Sequence, residues 1–98
     1  MVTASSEDEA KIIGQRLIGD KLAACVNIIS GMRSLYVWKE KMVDETEILL
    51  LIKSHQNHLT KIVSLVKKLH SYEVPEVIAL PIVGGSEDYL GWLAESTR

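Results

Sequence analysis

The stretch Cys25-Val26-Asn27-Ile28-Ile29-Ser30-Gly31-Met32-Arg33-Ser34-Leu35-Tyr36-Val37-Trp38, then Lys39-Glu40-Lys41, then Ile48-Leu49-Leu50-Leu51-Ile52, decides the fold. Both apolar runs are rich in branched and aromatic residues, which suit a pleated, half-buried surface better than a helix. Ser30-Gly31 interrupts the first run and predicts a bulge or bend. The charged tripeptide between the runs predicts a turn, so Cys25 to Ser54 is expected to form one long hairpin. Its second run does not alternate: Ile48 to Ile52 is apolar on both faces of a strand. A sheet with one wet face alternates apolar and polar residues. Burying a Leu or Ile fully is worth about 1.5–3 kcal/mol, so leaving several in water would cost a small domain dearly. The pattern therefore predicts that other copies of the chain cover the second face. A C-terminal helix folding back over it is the intramolecular alternative.

On the N-terminal side, Val2-Thr3-Ala4 reads as a short first strand. Ser6-Glu7-Asp8-Glu9 has the spacing of a capping box, with acidic residues suited to the positive end of a helix. Ala10, Ile13, Leu17 and Ile18 recur at helical spacing, which predicts a helix from about Ser6 to Leu22. Beyond the hairpin, Leu59, Ile62, Leu65, Val66 and Leu69 form one stripe of a second helix, from about Asn57 to Leu69. Val74 to Ile82, with Pro75 and Pro81 near its ends, predicts a final, edge-limited strand. Gly84-Gly85-Ser86 marks a turn, and Glu87 to Thr97 a short C-terminal helix. The order β-α-β-β-α-β plus a terminal helix is that of an α+β, ferredoxin-like split βαβ fold with a long hairpin. Residues 1–98 are expected to form a single domain of this kind.

The net charge of −2 and the scattered basic residues, of which Lys67-Lys68 is the longest run, leave no footprint for nucleic acid. One cysteine, Cys25, excludes an internal disulfide. No apolar run has the length of a membrane span, and no signal peptide is evident. Together these features predict a soluble, cytoplasmic protein. There is no P-loop, no paired acidic motif and no Ser-His-Asp order, so no enzyme activity and no organic cofactor are expected.

Four motifs are more specific. Lys21-Leu22-Ala23-Ala24-Cys25-Val26-Asn27 joins the first helix to the second strand. Ser34-Leu35-Tyr36-Val37-Trp38-Lys39-Glu40-Lys41 spans the hairpin turn, His70-Ser71-Tyr72-Glu73-Val74-Pro75-Glu76 follows the second helix, and Asp88-Tyr89-Leu90-Gly91-Trp92 lies in the last helix. In type and order these resemble the signatures of the CutA divalent-cation tolerance family along nearly the whole chain. The resemblance implies a compact homotrimer, similar in architecture to the PII signalling proteins. It also implies binding of copper or another divalent metal ion and a response to metal ions in the sense of tolerance; in some animal relatives it implies association with acetylcholinesterase. The chain departs from the family pattern at Glu40, where a Gly is usual, and at Ser71, where a Pro is usual. Val2 and Leu69 stand where some bacterial members carry a Cys and a His proposed as metal ligands.

Among the remaining donors, Cys25, His55, His58 and His70, the best metal candidate is His70, although a purely structural role at a helix end competes with it. Cys25 suits a small buried position, and His55 and His58 a solvated junction. A second possibility is an inter-subunit cleft for a small molecule or anion. Tyr36, Trp38, Lys53, Tyr72 and Glu76 would supply its aromatic walls and opposite charges. The same aromatics also suit an oligomer interface. A third is a trimeric scaffold that binds a protein partner through its loops.

Overall fold

A strand at the centre of a sheet must satisfy backbone groups on both edges, and here that strand is the second arm of the hairpin. The computed structural model describes residues 1–98. Strands β1 (Val2–Ala4), β2 (Cys25–Trp38) and β3 (Lys41–Lys53) form an antiparallel sheet in the order β1-β3-β2. β2 pairs with β3 along its whole length, from Cys25 opposite Lys53 to Trp38 opposite Lys41. β1 covers only Ile48–Leu50 on the other edge of β3. The register slips between Ile29 and Met32, where Gly31 has φ 80°, so the bulge expected at Ser30-Gly31 is present.

Helices α1 (Glu7–Gly19) and α2 (Leu59–Leu69) supply the layer over the sheet, and α3 (Glu87–Ser96) ends the chain. α1 stops three residues before the expected Leu22, because Asp20 caps it and Lys21 turns to φ 57°. The residues expected to open the second helix instead make a 3-10 turn, Gln56–His58. Ile13, Leu17, Leu50, Val2 and Val66 are the largest fully buried side chains, and they join Ile48, Ile62 and Leu65 in one core between sheet and helices. Ile48, Leu50 and Ile52 point to this core by strand alternation, while Glu45, Glu47 and Leu49 point to the opposite face.

The expected strand at Val74 to Ile82 is reduced to a single bridge. Val77 pairs with Val2 in antiparallel sense, flanked by Ile78 N–H donating to Met1 O at 3.0 Å and the Met1 amino group donating to Ile78 O at 2.7 Å. Pro75 and Pro81 cannot donate to a ladder, and β1 is itself only Val2–Ala4. The bridge still occupies the free edge of β1. Counting it as the fourth position gives the order 4-1-3-2 of a ferredoxin-like sheet, so the chain has the expected α+β architecture.

The hairpin arm runs on beyond this core. No apolar side chain from Met32 to Glu47 belongs to the core cluster. α3 does not fold back over the arm: it is tied to the start of α2, where the His58 ring bonds the Thr97 carbonyl. The molecule is accordingly elongated, 45 Å by 25 Å by 21 Å. No helix is long and apolar enough to cross a membrane.

At the tip, Lys39 and Glu40 have φ 50° and 67° between the paired residues Trp38 and Lys41. Positive φ at both central residues is the two-residue I′ turn that matches strand twist, and it favours Gly at its second position. A non-Gly residue there costs about 1–2 kcal/mol. Glu40→Gly is therefore expected to stabilise the fold by about 0.5–1 kcal/mol, once the greater freedom of Gly in the unfolded chain is deducted. Urea denaturation at matched protein concentration would show it as a raised midpoint with an unchanged slope.

Candidate functional site

His70 follows directly on α2, and its N–H donates to Val66 O at 2.8 Å. Its side chain is fully buried. Nε2 lies 2.6 Å from Thr3 O, and Nδ1 accepts the Tyr72 N–H at 3.0 Å. A carbonyl oxygen only accepts and a backbone N–H only donates, so the ring is the neutral tautomer with its proton on Nε2. Neither nitrogen keeps a lone pair for a metal. The expected ligand is instead a pin holding the end of α2, β1 and the following loop together.

The other expected donors are also dispersed. His55 Nδ1 accepts the Asn57 N–H at 3.1 Å and caps the 3-10 turn. Cys25 is half-buried with Lys53 Nζ 3.8 Å from its sulfur. Nowhere do three His, Cys, Asp or Glu side chains converge as a metal ion requires. The residues of one copy therefore do not fit a copper or zinc centre.

Glu9 reinforces the pin. The Ser6 hydroxyl caps α1 by accepting the Glu9 N–H at 3.1 Å, as the capping box predicts. Its reciprocal half is shifted: Glu9 Oε2 accepts from the Ser5 N–H and the Ser5 hydroxyl, each at 2.8 Å. Oε1 accepts the Ser71 N–H at 2.6 Å across 62 residues of chain. Burial works against the charged carboxylate, but the hydrogen bonds from Ser5 and Ser71 outweigh it and pull the pKa from 4.5 to about 2.

These two residues fix residues 71–76 as a loop above the face of the hairpin that carries Glu45 and Glu47. Between loop and hairpin lies a cavity of about 760 Å³. Four of the five expected cleft residues line it: Tyr36, Trp38, Tyr72 and Glu76. Lys53 does not. It shares a strand face with Glu45 but lies eight residues along β3, about 26 Å at the usual rise per residue. Sequence reasoning missed Glu45, Glu47 and Glu73, which line the cavity in its place. Strand alternation could have found the first two, since both fall on the Tyr36 side of the ladder. The Tyr36 hydroxyl donates to Glu45 Oε1 at 2.5 Å, and Tyr72 donates to the same oxygen at 3.2 Å. The Glu45 hydrogen bond pushes the Tyr36 pKa up to about 12. Burial, followed by the charges of Glu47 and Glu45, raises that of Tyr72.

The family model described as CutA1 divalent ion tolerance protein matches residues 1–96. The chain belongs to that family. It is 44% identical over 97 residues to the divalent-cation tolerance protein CutA of Thermus thermophilus, covering 99% of this chain and 94% of that one. It is 46% identical to the chloroplastic protein CutA of Arabidopsis thaliana, spanning 53% of that longer protein. Among solved structures it superposes on CutA1 from Oryza sativa with a TM-score of 0.95 at 46% identity, covering 99% of this chain and 89% of that one. Membership accounts for the four motifs, and the geometry gives their local physics: one CutA motif supplies the His70 pin, and another the hairpin wall of the cavity.

Two outcomes follow from the pin. His70→Ala leaves the Thr3 carbonyl and Tyr72 N–H without partners and is expected to cost about 2–4 kcal/mol in denaturant unfolding. It should leave any Cu(II) isotherm of the folded protein unchanged. Because the Glu9 pKa is lowered on folding, its contribution is complete above pH 4.5 and lost as pH falls towards 2. Glu9→Gln should therefore lower stability at pH 7 by about 1–2 kcal/mol and flatten the acid limb of a melting-temperature profile between those pH values.

Proposed function

We propose that this chain works as a homotrimer that binds copper or another divalent cation and so contributes to metal-ion tolerance, as a binding protein and not an enzyme. The observation that carries the assembly is the bare hairpin arm. Leu35, Val37 and Met42 are 67%, 66% and 79% exposed. They fall on one face of the ladder, since Val37 is paired with Met42 and Leu35 lies two residues from Val37. Ile78, Leu80, Ile82 and Val83 are exposed as well. Apolar side chains in such number mark a surface that another subunit covers.

The metal part of the reading is supported by the names of the relatives, which call them divalent-cation tolerance proteins. With no convergent donors in one copy, the proposed ion is held by groups contributed by more than one subunit. Assembly and metal uptake then rise and fall together.

Sedimentation velocity at micromolar concentration is expected to show a species of three times the 10.9 kDa chain mass. Leu35→Glu combined with Val37→Glu should shift it to smaller species. Equilibrium dialysis against Cu(II) should show saturable uptake by the assembled protein that the double variant loses. A monomeric wild type would refute the assembly. Equal copper uptake by assembled and dissociated forms would refute a shared site.

A further inference from the structure

The ring that pins the loop has no spare bond. His70 Nε2–H donates to Thr3 O at 2.6 Å, and Nδ1 accepts the Tyr72 N–H at 3.0 Å, with the side chain fully buried. The first bond survives a change of charge, because an imidazolium still donates from Nε2. The second does not. A protonated histidine carries a proton on each nitrogen and has no acceptor left, so Nδ1–H and the Tyr72 N–H would be two donors facing each other. Histidine is the side chain whose charge ordinarily changes between about pH 5 and 8.

A new partner for that proton stands ready. Glu9 Oε1 lies 3.8 Å from Nδ1, and the Glu9 side chain is only 12% exposed. That oxygen already accepts the Ser71 N–H at 2.6 Å, and a carboxylate oxygen can take a second donor. The bonds from Ser5 and Ser71 hold the Glu9 pKa at about 2, so the carboxylate is charged throughout the range in which histidine titrates. The other groups around the ring offer no such partner. From the loop, Tyr72 packs its ring on that of His70, with centroids 4.8 Å apart, and Glu73 and Glu76 are exposed. β1 has no titratable side chain, the Met1 amino group is bonded to Ile78 O, and the α2 lysines, Lys61, Lys67 and Lys68, are exposed. Glu45 and Glu47 of the hairpin meet Tyr72 at its hydroxyl end. Only Glu9 is within ion-pair reach of Nδ1.

We propose that His70 and Glu9 form an acid-operated latch on the loop 71–76. At neutral pH, Nδ1 holds the Tyr72 N–H and the loop is closed against the hairpin. On acidification the ring exchanges this bond for an ion pair with Glu9, and the Tyr72 N–H is released. Ser71 keeps its own bond to Glu9 and Val77 its bridge to Val2, so the segment 72–76 opens between two fixed ends. The part that moves is the cavity wall that carries Tyr72, Glu73 and Glu76.

Nitrogen-15 NMR of the assembled protein from about pH 8 to about pH 5 tests it. At the upper end His70 should be the neutral ring with its proton on Nε2. On acidification Nδ1 should gain a proton, and the Tyr72 amide proton should move upfield with the same midpoint while the Ser71 amide keeps its place. Glu9→Gln, which removes the anion and keeps a carbonyl oxygen for Ser71, should move that midpoint down by about one pH unit or more. In His70→Gln the Tyr72 step should vanish. The proposal is overturned if His70 stays neutral for as long as the protein remains folded, if it titrates without the Tyr72 amide, or if Glu9→Gln leaves the midpoint where it was. It is also overturned if the Tyr72 step persists in a folded His70→Gln.

Discussion

The structure depends on the two-edged pairing of β3. Its segment Ile48–Leu50 has β1 on one edge, β2 on the other and the helices on one face. Each residue there is held by ladder bonds and by the burial of Ile48 and Leu50, so sheet and core are specified together. The outer part, Lys41 to Glu47, has only β2. It keeps its shape through a continuous ladder, the I′ turn and cross-strand contacts such as Arg33 with Asp44, whose Nε–Oδ1 and Nη2–Oδ2 distances are 2.8 and 2.6 Å. That pair is exposed at both ends, so it sets geometry more than stability. One strand thus belongs to a finished domain at one end and to an unfinished surface at the other.

The site is tied to the finished end. The loop 71–76 has no regular secondary structure beyond its approach to the bridge at Val77, yet it forms one wall of the cavity. It is held by bonds of long sequence separation: His70 to Thr3, Ser71 to Glu9 and Tyr72 to Glu45. The first two anchor the loop to β1 and α1, and the third reaches the hairpin. A loop fixed at its base and touching the site at its tip transmits the order of the core to the cavity, which is the support that a binding site outside a regular element requires.

Legibility in the sequence followed the range of the interactions involved. The hairpin, its bulge at Ser30-Gly31, the capping role of Ser6 and the stripe of α2 are local, and the residue pattern displayed them. The fourth strand was overestimated because Val77 to Leu80 has strand composition, but a ladder also needs a partner edge and donors, which β1 and the prolines limit. Lys53 was grouped with Tyr36 by chemistry, and only the register shows the distance between them. His70 looked like a ligand because a histidine at a helix end is open to many roles. Its role is decided by the buried carbonyl of Thr3, 67 residues away, and by the N–H of Tyr72. Glu45 and Glu47 went unread for a related reason: they sit in the polar run Asp44-Glu45-Thr46-Glu47, and only the fold brings the loop 71–76 beside them.

Alternation on the outer hairpin divides its labour. Ser34, Tyr36 and Trp38 share a face with Glu45 and Glu47 and look into the cavity. Leu35, Val37 and Met42 occupy the other face and are largely exposed, although Leu35 also reaches the edge of the cavity. If copies cover the side of the arm that carries Leu35, Val37 and Met42, as proposed, assembly stiffens the arm without filling the cavity from that side. A stiffer arm holds the Tyr36 to Glu45 bond in place. Assembly and the acidic cavity would then be coupled through a single two-stranded ladder, with the side-chain period of two keeping their residues apart. A slip of one residue in the register would exchange the two sets, exposing the carboxylates and burying the apolar face in the wrong place. The bulge at Gly31 and the turn at Glu40 bracket this segment and pin it against such a slip.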